Sequence, residues 1–121
     1  KAQGGGDIIN ISSTSGRRSA AAFAAYSTSK FGLTGFTESL RQECGGHGIR
    51  VAIVEPGATE TEIASSISDP MWSAAIQQHV SKEGAMKASD IADAILFILH
   101  LPPRANVSQI LIRPTSDVAP M

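Results

Sequence analysis

The sequence predicts an α/β fold, part of a parallel sheet of about three strands with its crossover helices. Two observations carry that expectation. Short apolar, β-branched runs at residues 7–13 and 49–54 are separated by a long proline-free stretch with helical spacing, and a link of that length joins strands in parallel. Along the chain the order is then strand, helix, strand, helices, strand.

Each element follows from its residues. The run Asp7-Ile8-Ile9-Asn10-Ile11-Ser12-Ser13 comes after Gly4-Gly5-Gly6 and reads as a buried strand, with a Ser/Thr/Gly/Arg-rich loop from Ser12 to Arg18. Residues 24–43 form a helix in which Phe31, Leu33, Phe36 and Leu40 recur at helical spacing; Gly45-Gly46-His47-Gly48 stops it. Ile49 to Val54 is a second buried strand, halted by Pro56-Gly57. Short helices are expected at 61–66 and 73–81, separated by a turn at Asp69-Pro70. Ser89 is the expected N-cap of a helix reaching about His100, with Asp90 and Asp93 favourable in its first turn. Pro102-Pro103 ends that helix, and residues 107–112 form the third strand.

Composition narrows the function classes. Apolar residues make 42% and charged residues 17% of the chain, a globular balance that argues against disorder. Ten Lys and Arg against eleven Asp and Glu leave a net charge of −1, without the basic footprint of a nucleic-acid or anionic-membrane binder. The longest apolar stretch, Ile91 to Leu101, contains Asp93 and His100 and is too short to span a bilayer. Cys44 stands alone, which excludes an internal disulfide and fits a reducing, cytoplasmic setting. His47, His79 and His100 share no ligand spacing, so no metal site is expected. Three buried-type parallel strands ordinarily have neighbours on both sides, and an apolar edge such as Ile8 to Ile11 invites aggregation. Residues 1–121 are therefore expected to be the C-terminal part of one domain, with its N-terminal half upstream of Lys1.

The candidate chemistry collects beyond the carboxyl ends of the strands, where open parallel sheets bind ligands. Ser13 ends the first strand, and Pro56-Gly57-Ala58-Thr59-Glu60-Thr61 leaves the second. Tyr26 and Lys30 open the returning helix, and their i, i+4 spacing puts them on one face. A phenol with an unperturbed pKa of about 10 is a poor proton shuttle at neutral pH, and a neighbouring ammonium favours its phenolate form. A serine hydroxyl folded back beside it can hold a carbonyl oxygen while the phenol donates a proton, an arrangement suited to carbonyl reduction or its reverse.

Taken together, Ile9-Asn10-Ile11-Ser12-Ser13-x-x-Gly16, Tyr26-Ser27-Thr28-Ser29-Lys30-Phe31-Gly32, Gly48-Ile49-Arg50-Val51 and Pro56-Gly57-x-x-x-Thr61 resemble the C-terminal portion of a short-chain dehydrogenase/reductase. The resemblance covers nearly the whole chain. It implies the C-terminal part of a Rossmann-type doubly wound sheet and an NAD(P)-dependent oxidoreductase acting on a small carbonyl or alcohol. Ser13 would polarise the carbonyl, and Tyr26 would be the acid/base. Lys30 would bind the nicotinamide ribose and tune the phenol. Pro56, Gly57, Thr59 and Thr61 would line the nicotinamide and pyrophosphate. The family's glycine-rich phosphate turn and catalytic asparagine belong before residue 1, and Gly4-Gly5-Gly6 does not replace them because it precedes a strand. The ending Ile110-Leu111-Ile112-Arg113-Pro114-Thr115 looks like the branch with 3-hydroxy acid and serine dehydrogenases, which favours NADP over NAD.

Plainer readings stand beside these. Tyr26 and Lys30 would be a helix-surface pair, Ser13 a loop cap, and Thr61 the cap of the next helix. Ser12 competes with Ser13, although alternation along the strand points it to the opposite face. Ile63, Ile67, Met71 and Trp72 are either ordinary packing or the apolar wall of a substrate lid. The small face Ala25, Ser29, Gly32 admits close approach of the chain's own sheet or of a sister subunit. A homodimer or homotetramer through this helix and the 89–100 helix is expected. The rival to an enzyme is a non-catalytic remnant or split subunit serving as a scaffold or binding module.

Overall fold

In the computed structural model, which describes residues 1–120 apart from the side chains of His79, Lys82 and Glu83, three strands form a parallel sheet. Their order is β1 (Gly6–Ile11), β2 (Ile49–Pro56), β3 (Gln109–Ile112). Helix α1 (Ala24–Gly45) carries the chain from β1 to β2. A 3-10 turn (Glu62–Ser66), α2 (Pro70–Glu83) and α3 (Ala88–His100) lie between β2 and β3. The expected α/β parallel architecture is what forms.

Strand β2 is central, and Val51, Ala52, Ile53, Val54 and Glu55 are at most 1% exposed. Alternation sends successive side chains to opposite faces. Ala52 and Val54 join Met86, Ile91 and Ile98 in the core on the α3 side, with Ile9, Ile95, Ile110 and Ile112 packed around them. On the α1 side, Asn10 stands beside Ile53 in register and its amide donates to Thr37 Oγ1 at 2.9 Å. Arg50, at the start of β2, binds Asp7 Oδ1 on β1 and the carbonyls of Leu99 (3.2 Å) and Leu101 (2.8 Å) at the end of α3. One guanidinium thus ties two strands to a helix terminus.

Several boundaries differ from expectation for local reasons. Strand β1 stops at Ile11 rather than Ser13, because Ser13 already caps the 3-10 turn Thr14–Gly16. Asp69-Pro70 does not separate helices but begins one: the Asp69 carboxylate accepts from the N–H of Met71 (2.9 Å) and Trp72 (3.3 Å), with Pro70 in the first position. That extends the 73–81 helix to Pro70–Glu83, and the 61–66 segment is a 3-10 turn. Ser89 is not the cap of α3. Lys87 is, its N–H donating to Asp90 Oδ2 at 2.8 Å. Strand β3 begins at Gln109, two residues later than expected.

Helix α1 buries Ser27, Thr37 and Cys44, whereas Phe31 and Phe36 are 47% and 57% exposed. Both phenylalanines therefore face outward while Leu33 and Leu40 are half-buried, and Ala25, Ser29 and Gly32 are exposed too, so the small face does not meet the chain's own sheet. Leu96, Phe97 and Leu99 are exposed on α3 in the same way.

Ile98, 1% exposed in the α3 core, should cost about 2–5 kcal/mol when cut to alanine, against less than about 0.5 kcal/mol for the exposed Val118→Ala. Equal shifts in urea midpoint would displace α3 from the core. Produced alone, residues 1–121 should self-associate, because Phe31 and Phe36 on α1 and Leu96, Phe97 and Leu99 on α3 leave exposed apolar surface on two faces. Light scattering that reports a monomer at every concentration would contradict this.

Candidate active site

The segment leaving β1 is built around two adjacent serines with different duties. The Ser12 N–H donates to the Val54 carbonyl at 2.7 Å, continuing the strand pairing, and its buried hydroxyl donates to the Lys30 carbonyl at 3.4 Å. Ser13 is half-buried with extended backbone, and its Oγ accepts from the Ser15 N–H at 3.1 Å. The cap reading of Ser13 is thus real, yet a hydroxyl that accepts there keeps its own hydrogen to donate outward. Gly16 closes the turn against α1: a Cβ would lie 2.8 Å from Ser12 Oγ, 3.1 Å from the Lys30 oxygen and 3.2 Å from Thr34 Oγ1.

Tyr26 and Lys30 occupy the first two turns of α1. The Lys30 ammonium donates to the carbonyl of Ile11, the last residue of β1, at 3.1 Å and lies 5.6 Å from the Tyr26 ring centroid, within cation–π reach. Phe23 meets the same ring edge-on, centroids 6.3 Å apart. Among the described residues the Tyr26 hydroxyl has no hydrogen-bond partner, and Ser13 and Tyr26 share no hydrogen bond. A phenol, an ammonium and a serine hydroxyl therefore stand near one end of β1, the phenol and serine hydrogens both available to a third group.

The end of β2 supplies the facing segment. The Gly57 N–H donates to the Ile112 carbonyl at 2.8 Å, and a Cβ on Gly57 would come within 3.1 Å of Pro114 Cδ, so glycine lets the backbone pass close to β3. Thr59 Oγ1 donates to the Gly57 carbonyl at 3.0 Å. Backbone bonds from Glu60 to Met86 (2.8 Å) and from Met86 to Ala58 (3.0 Å) hold the next stretch. Thr61 caps the 3-10 turn, its oxygen accepting from the Ile63 N–H at 3.5 Å. With Thr59, Glu60, Ile63, Gln77 and Val80 it lines an open cavity of about 270 Å³ under α2. Met71 and Trp72 are exposed at the start of that helix. Pro56, Gly57 and Thr59 share the C-terminal edge of the sheet with Ser13, Tyr26 and Lys30, so the residues present suit the nicotinamide half of a dinucleotide.

One pair was not singled out from sequence. Glu55, wholly buried on β2, accepts from Arg17 Nε at 2.8 Å and Nη2 at 2.5 Å, both on Oε2, and Oε1 has no partner among the described residues. Hydrogen bonding to this carboxylate raises the Arg17 pKa above its ordinary value. A buried carboxylate loses several kcal/mol of hydration, and the close Arg17 guanidinium offsets part of that loss. The available signal was an acid continuing an otherwise apolar strand. Of the histidines, His100 Nδ1 lies 2.8 Å from the Leu96 carbonyl, and the His79 side chain lies outside the described residues.

A family model described as short chain dehydrogenase matches residues 1–72. Dehydrogenase/reductase SDR family member 11 of Bos taurus is 37% identical over 120 residues, covering 93% of this chain and 46% of its own length. Momilactone A synthase of Oryza sativa is 43% identical over 98 residues, covering 77% of this chain and 36% of its own. The chain thus spans less than half the length of these curated relatives. The closed form of a serine dehydrogenase complexed with NADP+ superposes with a TM-score of 0.76 at 24% identity, over 88% of this chain and 43% of that one, a likeness of fold.

Gly16→Ala should destabilise by about 1–3 kcal/mol, since two of the three atoms crowding the new methyl are serine and threonine hydroxyls held by hydrogen bonds and the third is backbone. An unchanged thermal midpoint would show that the turn is free to move away from α1.

Proposed function

The chain belongs to the short-chain dehydrogenase family, and we propose that the complete protein interconverts a small carbonyl compound and its alcohol with NAD(P), using Ser13, Tyr26 and Lys30. The observation that carries this reading is the Tyr26 phenol with no internal partner among the described residues, 5.6 Å by its ring centroid from an ammonium anchored on the last carbonyl of β1. Residues 1–121 would be one part of a longer domain, since they cover 46% of the length of the Bos taurus relative.

A nicotinamide cofactor supplies or accepts the hydride when bound. This chain's own residues do the rest. The Ser13 hydroxyl, already polarised by the Ser15 N–H, donates to the substrate oxygen. The Tyr26 phenol gives that oxygen a proton in reduction and takes it back in oxidation. Lys30, whose ammonium lies 5.6 Å from the Tyr26 ring centroid, would hold the ribose hydroxyls beside the phenol. Pro56, Gly57, Thr59 and Thr61 line the nicotinamide side, where Gly57 keeps the backbone close to β3. NADP is favoured over NAD by the likeness of residues 110–115 to the serine and 3-hydroxy acid dehydrogenase branch. The uncovered residues Phe31 and Phe36 on α1, and Leu96, Phe97 and Leu99 on α3, support a homo-oligomer formed through those helices. The buried free thiol of Cys44 suits a cytoplasmic protein.

Tyr26→Phe should lower kcat for reduction of para-nitrobenzaldehyde by about 100-fold or more, with cofactor binding retained. Lys30→Met should weaken cofactor binding by about tenfold in equilibrium dialysis. A Tyr26→Phe enzyme with more than half the wild-type rate would remove the phenol from the mechanism.

A further inference from the structure

Arg17 and Glu55 touch neither the Tyr26 phenol nor the Lys30 ammonium, yet they join the two segments whose separation the reaction depends on. Arg17 lies four residues after Ser13, just beyond the turn that Ser13 caps. Glu55 is the residue before Pro56-Gly57. Two hydrogen bonds, 2.8 and 2.5 Å, bring the guanidinium onto Glu55, and Nη2 also reaches Gln109 Oε1 on β3 at 3.2 Å. We propose that Arg17 and Glu55 are positioning residues that hold the Ser13 hydroxyl at its working distance from the Pro56-Gly57 segment; this rests on the catalytic reading of Ser13 and Tyr26.

The geometry favours position over strength. Both bonds fall on Oε2, so the two-oxygen fork that stabilises an arginine–carboxylate pair most is not used. Glu55 is fully buried in the middle strand and pairs with Leu111 of β3, whereas the 14–18 segment lies outside the sheet and is held, beside its own turn bonds, by the Arg17 and Arg18 side chains. The neighbouring Arg18 reaches the Pro120 carbonyl at 2.6 Å, so consecutive arginines brace the loop to β2 and to the C-terminal tail. Removing the brace to β2 lets Ser13 drift while Tyr26 and Lys30, seated on α1, stay in place.

The test uses the complete protein with para-nitrobenzaldehyde and NADPH. Arg17→Lys keeps the charge and loses the planar fork. It should lower kcat about tenfold, with cofactor affinity within twofold of wild type. In a Ser13→Ala background the same change should alter kcat less than twofold, because the residue it acts through is gone. A tenfold loss in both backgrounds, or no loss in the first, overturns the proposal. If Arg17→Lys does not fold, the apolar pair Arg17→Met with Glu55→Leu is measured, since replacing both partners of a buried pair is commonly tolerated. A folded double variant with wild-type kcat overturns the proposal equally. Tyr26→Phe is run alongside: if it alone leaves the rate intact, the catalytic reading fails, whereas its loss combined with an unaffected Arg17→Lys sinks only the positioning role.

Discussion

Strand β2 is covered on both faces and paired along both edges, and the placement of every candidate functional group can be traced to it. Its alternating side chains divide the molecule, with Ala52 and Val54 in the α3 core and Glu55 turned towards the loop before α1. Its register with β1 sets Ile11 beside Val54, and with β3 sets Pro56 beside Ile112. The ends of three strands are thereby brought to one edge, where the chain must leave the sheet. Burial of this strand is the apolar driving force; where the edge falls is a matter of hydrogen-bond register.

At that edge, polar side chains act as pins. Lys30 holds α1 to the end of β1, Arg17 holds the serine loop to β2, and Arg50 at the opposite end joins β1, β2 and the last turn of α3. Each pin spends a cation on a carbonyl or carboxylate that would otherwise end its element without a partner. The candidate site is thus held by a few directional bonds on top of a non-directional core. Small changes at the edge can alter geometry while leaving the core intact.

The strands and α1 were legible in the sequence because each depends on short-range pattern, β-branched runs and a proline-free helical period, and Tyr26 and Lys30 fall on successive turns of α1 as their i, i+4 spacing predicts. The capping of α3 at Lys87 was not legible, because a backbone cap through Asp90 leaves no side-chain signature at the cap residue itself. Nor was the direction of α1: Phe31 and Phe36 look like core residues by type, but the helix buries Ser27, Thr37 and Cys44 instead. Arg17 and Glu55 are 38 residues apart, and no local pattern links them. What sequence conveys poorly here is which partner a given face or charge will find across the fold.

These 121 residues hold a single tyrosine and a single tryptophan, and the fold puts them in separate places. Tyr26 stands beside the Lys30 ammonium, while Trp72 is 43% exposed in the first turn of α2. Phenol ionisation can therefore be followed by ultraviolet difference absorption with no second phenol from this segment in the signal. Indole emission, sensitive to surrounding water, reports on the first turn of α2 alone. One sample thus contains two optical channels, one for proton chemistry and one for the surroundings of the α2 N-terminus.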